Sequence, residues 1–395
     1  MKGAVLGGAG LGAAGALGSG GAVAAADDSA TPATKVPRKK LGTTGVEIPI
    51  LFMGGSQKFD MKYDKLLHRA YALGIDYIDT AQIYAAGQSQ KSIAVFLEQV
   101  GRENIWITTK SKLMGSKNVP EGYKEQLDNC LEDLKTDYVE MYFMHMITDE
   151  KNLDPEFIKM GADLKKAGKC KYFGFSCHDG NVVELLNKAA KVGSAGIDAI
   201  MFRYNFRQYG DLELNKAIDA CKAAGIGLLA MKTQSSVPDD LEAVQEWQSK
   251  DFTLGQAKLK SVWADERIDG CVSQMDNVQL LMENAKAAMS PVQLSMNDFH
   301  QLNKMARNTA PYACMGCNHI CESTVQGDLK IADSLRYLMY DECYGDHETA
   351  QMLYRNLTPE QRDFEGIELA EATAACPQGI QIAERLQKAK ARLNA

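Results

Sequence analysis

Eight short apolar runs alternate with amphipathic stretches through the middle of this chain, and that alternation limits the fold more than any other feature. The runs cover residues 50–54, 77–80, 105–110, 139–146, 172–177, 199–205, 226–231 and 270–275. Most are rich in Ile, Val, Phe, Tyr or Met and carry few charges, which suits strands buried on both faces. Between them the period changes. Stretch 90–100 puts Ile93, Phe96, Leu97 and Val100 on one helical face, and stretch 123–134 does the same with Leu127, Cys130, Leu131 and Leu134. Strand–helix alternation of this kind predicts an α/β fold, a closed (β/α)8 TIM barrel over residues 39–290. An open doubly wound sheet is the alternative, but no G-x-G-x-x-G leads from a strand into a helix here.

The flanks read differently. Residues 3–26 carry no charge, Lys2 precedes them, and Ala24-Ala25-Ala26 stands before Asp27-Asp28. A basic start, an apolar stretch and a small-residue cleavage site have the layout of an export signal. Nine of the first 26 residues are Gly, so the stretch is a poor membrane helix. It resembles twin-arginine signals without the arginine pair. The expectation is a signal over 1–26 whose true start lies upstream, a linker over 27–38, and a periplasmic product that is not an integral membrane protein once the signal is removed. The formal net charge of -7, with no Lys/Arg cluster interleaved with aromatics, argues against nucleic acid as a partner.

In a barrel the functional groups stand at the C-terminal ends of the strands. There the sequence offers Asp79 with Tyr84 close behind, then Lys110, His145, Ser176-Cys177-His178 and Tyr204-Asn205. Asp79, Tyr84, Lys110 and His145 make joint chemical sense. A phenol is a weak acid near neutrality, with a pKa of about 10. A nearby ammonium favours the phenolate and lowers that value. Asp79 can hold Lys110, His145 can orient a carbonyl, and Tyr84 can pass a proton to the carbonyl oxygen. Taken singly, each of the four is more often a rim ion pair or a packing residue.

The segment from Gly74 to Ala81, with Tyr84 and Gly87 after it, resembles the signature of the aldo/keto reductase family. So do the segment from Asp137 to Tyr142 leading to His145, and Gly168-Lys169 with Gly174-Phe175-Ser176. Leu41 to Gly45 with Ile48-Pro49 resembles the family's hairpin that plugs the barrel bottom. The resemblance implies catalytic roles for Asp79, Tyr84, Lys110 and His145, and a nicotinamide cofactor, NADP or NAD. Ser176 and Asn205 match positions near the nicotinamide, and Glu283 and Asn284 match an adenine-end pair. Cys177 and Met231 are cofactor-side positions where the sequence departs from the family, Cys177 standing where many members carry Asn and Met231 offering no aromatic to stack on the ring. Residues 272–277 lack the Lys and Arg that usually grip a 2′-phosphate.

Beyond residue 290 a helical C-terminal extension, 291–395, carries Cys314, Cys317 and Cys321, with Cys376-Pro377 further on. Clustered thiols in a chain of this size point to a metal site rather than a disulfide framework. The set resembles the [4Fe–4S] ligands of a subset of the same family; a structural zinc with four thiolates is the alternative. The function expected is hydride transfer between a nicotinamide and a small carbonyl or alcohol substrate, with an accessory cluster. The alternative is an iron–sulfur redox or binding protein on the same scaffold, with an external electron-transfer partner and no nicotinamide turnover.

Overall fold

The computed structural model describes residues 34–234 and 237–394. Residues 1–26, read as the export signal, lie outside them, as does most of the linker. A short hairpin comes first, β1 (Arg38–Lys40) paired antiparallel with β2 (Glu47–Pro49). Eight strands follow: β3 (Leu51–Gly54), β4 (Tyr77–Asp79), β5 (Trp106–Ser111), β6 (Val139–Met144), β7 (Cys170–Cys177), β8 (Ala199–Arg203), β9 (Gly227–Met231) and β10 (Gly270–Ser273). All pair in parallel, and β10 pairs back with β3 to close the barrel. Each is followed by a helix, so every strand keeps one face for the barrel axis and one for the helical ring.

That alternation sorts the side chains. Inward, Phe52, Tyr77, Met141, Phe143, Met201 and Leu229 fill the axis. Phe52 stacks on Tyr77 with ring centroids 4.1 Å apart, and Trp106 stacks on Tyr172 at 5.5 Å. The hairpin closes the bottom: Leu41 and Ile48 are fully buried in this inner cluster. Gly42 makes this approach possible. Its φ is +48°, and a Cβ there would lie 2.4 Å from the backbone nitrogen of Gly227.

The expected helical faces are buried as well. Ile93, Phe96 and Leu97 of helix Gln88–Val100, and Leu127, Cys130, Leu131 and Leu134 of helix Pro120–Leu134, pack in the layer outside the strands.

After helix Val278–Met289 the chain leaves the barrel and builds an all-helical extension with its own apolar clusters. Its helix Ile331–Tyr344 does not hang free. Arg336 pairs with Asp179 at 2.9 Å, and Tyr340 accepts from Lys232 at 3.3 Å, so this helix lies against the open rim of the barrel. No helix among the described residues is long and apolar enough to cross a membrane.

Candidate active site

Two residues above the inner core, the same inward faces carry polar groups. Asp79 follows Tyr77 on β4, Lys110 follows Thr108 on β5, His145 follows Phe143 beyond β6, and Arg203 follows Met201 on β8. The expected four come together. The Lys110 Nζ lies 2.7 Å from Asp79 and donates to Tyr84 Oη at 3.4 Å. It donates a further bond to the Thr80 carbonyl at 2.8 Å. The Tyr84 ring stands edge-on to the His145 ring, centroids 5.6 Å apart. Asp79, Lys110 and His145 are all buried, and the Nδ1 of His145 has no hydrogen-bond partner.

Backbone strain concentrates at the same rim. Five described non-glycine residues have positive φ, and four of them flank this site: Ala85 and Ala86 after Tyr84, Met146 after His145, and Lys232 after β9. The left-handed region costs an L-residue roughly 1–3 kcal/mol, so it persists where surrounding contacts impose it.

Burial sets the protonation of the site. It pushes the Tyr84 phenol well above its ordinary range, and the Asp79 carboxylate and Tyr340 add to the effect. This corrects the expectation that the ammonium would acidify the phenol: desolvation and Asp79 outweigh it, and the hydroxyl keeps its proton. Burial, helped by the charges of Lys110 and Lys232, holds His145 well below its ordinary value, so its imidazole is neutral. For Asp79 and Lys110 burial works against both charges, and their mutual contact opposes it. A protonated phenol, a neutral imidazole and a buried ammonium form a proton-donating surface.

The other expected residues are scattered more widely. The Ser176 Oγ accepts from the Met146 N–H at 3.0 Å, next to His145. Met231 reaches the upper end of the inner core, half-buried. Asn205 caps a short turn, accepting from the Arg207 N–H at 3.0 Å and donating to the Lys232 carbonyl at 3.0 Å. Cys177 points the other way: it is fully buried in the layer between strands and helices, so it is not a mouth residue. Glu283 and Asn284 stand on the helix after β10 and share no hydrogen bond with Asp79, Tyr84, Lys110 or His145. There Asn284 donates to Ser273 Oγ at 3.1 Å, and its Oδ1 is buried without a partner. Glu283 accepts from Thr253, and Ser273 in turn donates to Gln234 at 3.3 Å.

Three residues at the mouth escaped sequence reading. Arg203 is 7% exposed and donates to the carbonyl of Met315 in the extension. Lys232 directly follows β9, and Tyr340 comes from the extension. Arg203 carried a signal, since it has the inward parity of Met201 at a strand end. Tyr340 carried none, because inside an amphipathic helix it reads as packing.

Cys314, Cys317, Cys321 and Cys376 line one small apolar cavity, walled by Ile331, Leu335 and Ile380. Among the described residues no group of three or more His, Cys, Asp or Glu side chains is placed to hold a metal ion. This cysteine loop is seated close to the rim: a Cβ on Gly180 would lie 2.4 Å from the Cα of Cys317.

Comparison with known proteins agrees with the barrel. Residues 51–236 match the model of the aldo/keto reductase family. An uncharacterized oxidoreductase of Bacillus subtilis, YqkF, is 24% identical over 281 residues, 64% of this chain and 90% of that protein. The fungal aldo-keto reductase str7 of Strobilurus tenacellus is 28% identical over 214 residues, 51% of this chain and 60% of its own length. In fold, the holo form of an aldo-keto reductase from Bacillus halodurans superposes with a TM-score of 0.55 at 20% identity, covering 68% of this chain and 96% of that one. An aldo-keto reductase from Klebsiella pneumoniae, solved with NADPH, gives 0.54 at 18% identity, covering 68% and 95%. Over residues 51–236 the sequence, and the barrel it builds, are thus similar to the aldo/keto reductases, and the matched relatives carry oxidoreductase names.

Proposed function

We propose that this protein moves a hydride between a nicotinamide cofactor, NADP or NAD, and a small carbonyl or alcohol substrate at the barrel mouth. The observation that carries this reading is the Asp79–Lys110–Tyr84 chain of contacts with His145 beside it. Bound at the rim, a dihydronicotinamide supplies the hydride. The protein's part is the proton. Tyr84 is the group that gives it up to the carbonyl oxygen, and Lys110 steadies the phenolate left behind through its bond to Tyr84 Oη. Asp79 holds the ammonium in place. The neutral imidazole of His145 donates a hydrogen bond that fixes the carbonyl, with its proton on the ring nitrogen facing the substrate. In the reverse direction the same groups take a proton from an alcohol.

The rim between β9 and β10 suits a dinucleotide's far end. It gathers Gln234, Thr253, Ser273, Glu283 and Asn284, with a buried unpartnered carbonyl oxygen on Asn284. Titration of the purified full chain with NADPH and with NADH, followed by cofactor fluorescence, tests the reading. Saturable binding of at least one is expected; binding of neither overturns it.

The four cysteines line one cavity, and that shared lining is what supports reading them as ligands of a [4Fe–4S] cluster, with a structural four-thiolate zinc as the alternative. A cluster there would pin the extension to the rim and could serve an electron-transfer partner. A brown protein with about four irons per chain is expected, and Cys376→Ser should lose both colour and iron. Colourless protein carrying one zinc would replace the cluster with a structural zinc site. Residues 1–26 complete the proposal as a twin-arginine-type signal for export to the periplasm. A reporter fused behind residue 38 of the full-length coding sequence should be exported in its folded form; retention in the cytoplasm overturns that part.

A further inference from the structure

Between the barrel rim and helix Ile331–Tyr344 lies a second, partly open cavity, lined by Arg203, Asn205, Lys232 and Arg336 among others. Its charge balance is uneven. Arg336 is compensated twice, by Asp179 at 2.9 Å and Asp333 at 3.1 Å. Neither Arg203 nor Lys232 has an ion-pair partner among the described residues. Arg203 spends one N–H on the Met315 carbonyl, and Lys232 donates to the Tyr340 hydroxyl. Arg203 is more than nine-tenths buried. A buried guanidinium with no anion in direct contact, Asp179 acting on it only from further off, is costly, and its planar set of donors fits a carboxylate edge-on. The cavity also adjoins the chemistry. Arg203 shares its inward layer with Lys110 and His145, and Lys232 is near enough to depress His145.

We propose that this seam binds an anionic group of the substrate, a carboxylate, with Arg203 and Lys232 as its ligands, so that the preferred carbonyl compounds are acids. The proposal rests on the carbonyl-reducing reading of the site and narrows its substrate class. A guanidinium from the barrel and an ammonium at the end of β9 would grip the carboxylate. The extension closes the pocket over it, and the substrate's carbonyl points towards Tyr84.

The test is calorimetric binding of succinate to the full-length protein as purified, with uncharged succinamide as control, in the absence and presence of saturating NADPH. Succinate should bind and succinamide should not. Arg203→Met and Lys232→Met should each weaken succinate between about tenfold and a hundredfold, and Arg203→Lys should recover part of the loss. Thermal melts identify any variant that fails to fold, and the two Met variants stand on different segments, the end of β8 and the residue after β9, so one can fail without closing the test. Succinate binding that survives saturating NADPH supports a substrate subsite. Displacement by NADPH overturns the proposal and gives the cations to the dinucleotide's phosphates. No succinate binding, or binding indifferent to both variants, also overturns it and leaves the cations as counter-charges to the cysteine loop. Succinate binding that depends on Arg203, in a protein that turns over no carbonyl compound, would sink the catalytic reading while the anion site stands.

Discussion

His145 and His178 are both buried beside the mouth, and both are held below the ordinary histidine range. His178 falls to about 3, chiefly through burial, although its bond to Asp179 opposes the shift. The consequence for stability has a definite sign. An unfolded histidine takes up its proton near pH 6.5, while the folded protein does not. Unfolding therefore becomes easier as the pH falls below about 6.5, by roughly 1.4 kcal/mol per pH unit for each group until its folded value is reached. Urea midpoints measured between about pH 7 and pH 5 should fall with acidification, and His178→Gln should flatten the slope. A midpoint that rises on acidification would contradict the burial of these rings. At this scale the sequence was legible where a residue type is rare at its position. An Asp, a Lys and a His at successive strand ends stand out against apolar runs, and the structure brings them within reach of Tyr84. Protonation was not legible: the sequence shows that a cation is near a phenol but not how dry the phenol is.

Among elements, two contacts decide how the parts fit. At the bottom, Leu41 of the hairpin is fully enclosed by the barrel axis. Leu41→Ala should cost about 2–5 kcal/mol in denaturant unfolding without changing the rim. A loss under about 1 kcal/mol would mean the plug packs loosely. At the top, Gly180 touches the backbone of Cys317. Gly180→Ala forces a backbone shift worth about 1–3 kcal/mol. It should loosen the cysteine loop, seen as faster amide exchange over residues 313–321; unchanged exchange would contradict close seating. The barrel elements were readable because a strand buried on both faces and a helix with one apolar stripe leave different periods. All eight runs became barrel strands, six of them shorter than the apolar run by one or two residues. The docking of helix Ile331–Tyr344 was not readable. Its amphipathic pattern says that one face is covered, and only the fold says that the cover is the barrel's own mouth.

Over the whole molecule, a barrel and a helical extension share one surface. Asp179, Arg203 and Lys232 on the barrel meet Arg336, Met315 and Tyr340 on the extension. The cavity at the mouth is therefore bounded by barrel and extension, and anything that tightens the cysteine loop also shapes it. In the proposed reaction Tyr84 delivers the proton while a nicotinamide delivers the hydride. Stopped-flow oxidation of NADPH or NADH by a panel of small aldehydes, comparing the natural protein with Tyr84→Phe, addresses this directly. The natural protein should turn over at least one aldehyde. Tyr84→Phe should lose between about a hundredfold and ten-thousandfold in kcat while its cofactor titration still saturates. A Tyr84→Phe protein that reduces the same aldehydes at the natural rate would contradict the assignment.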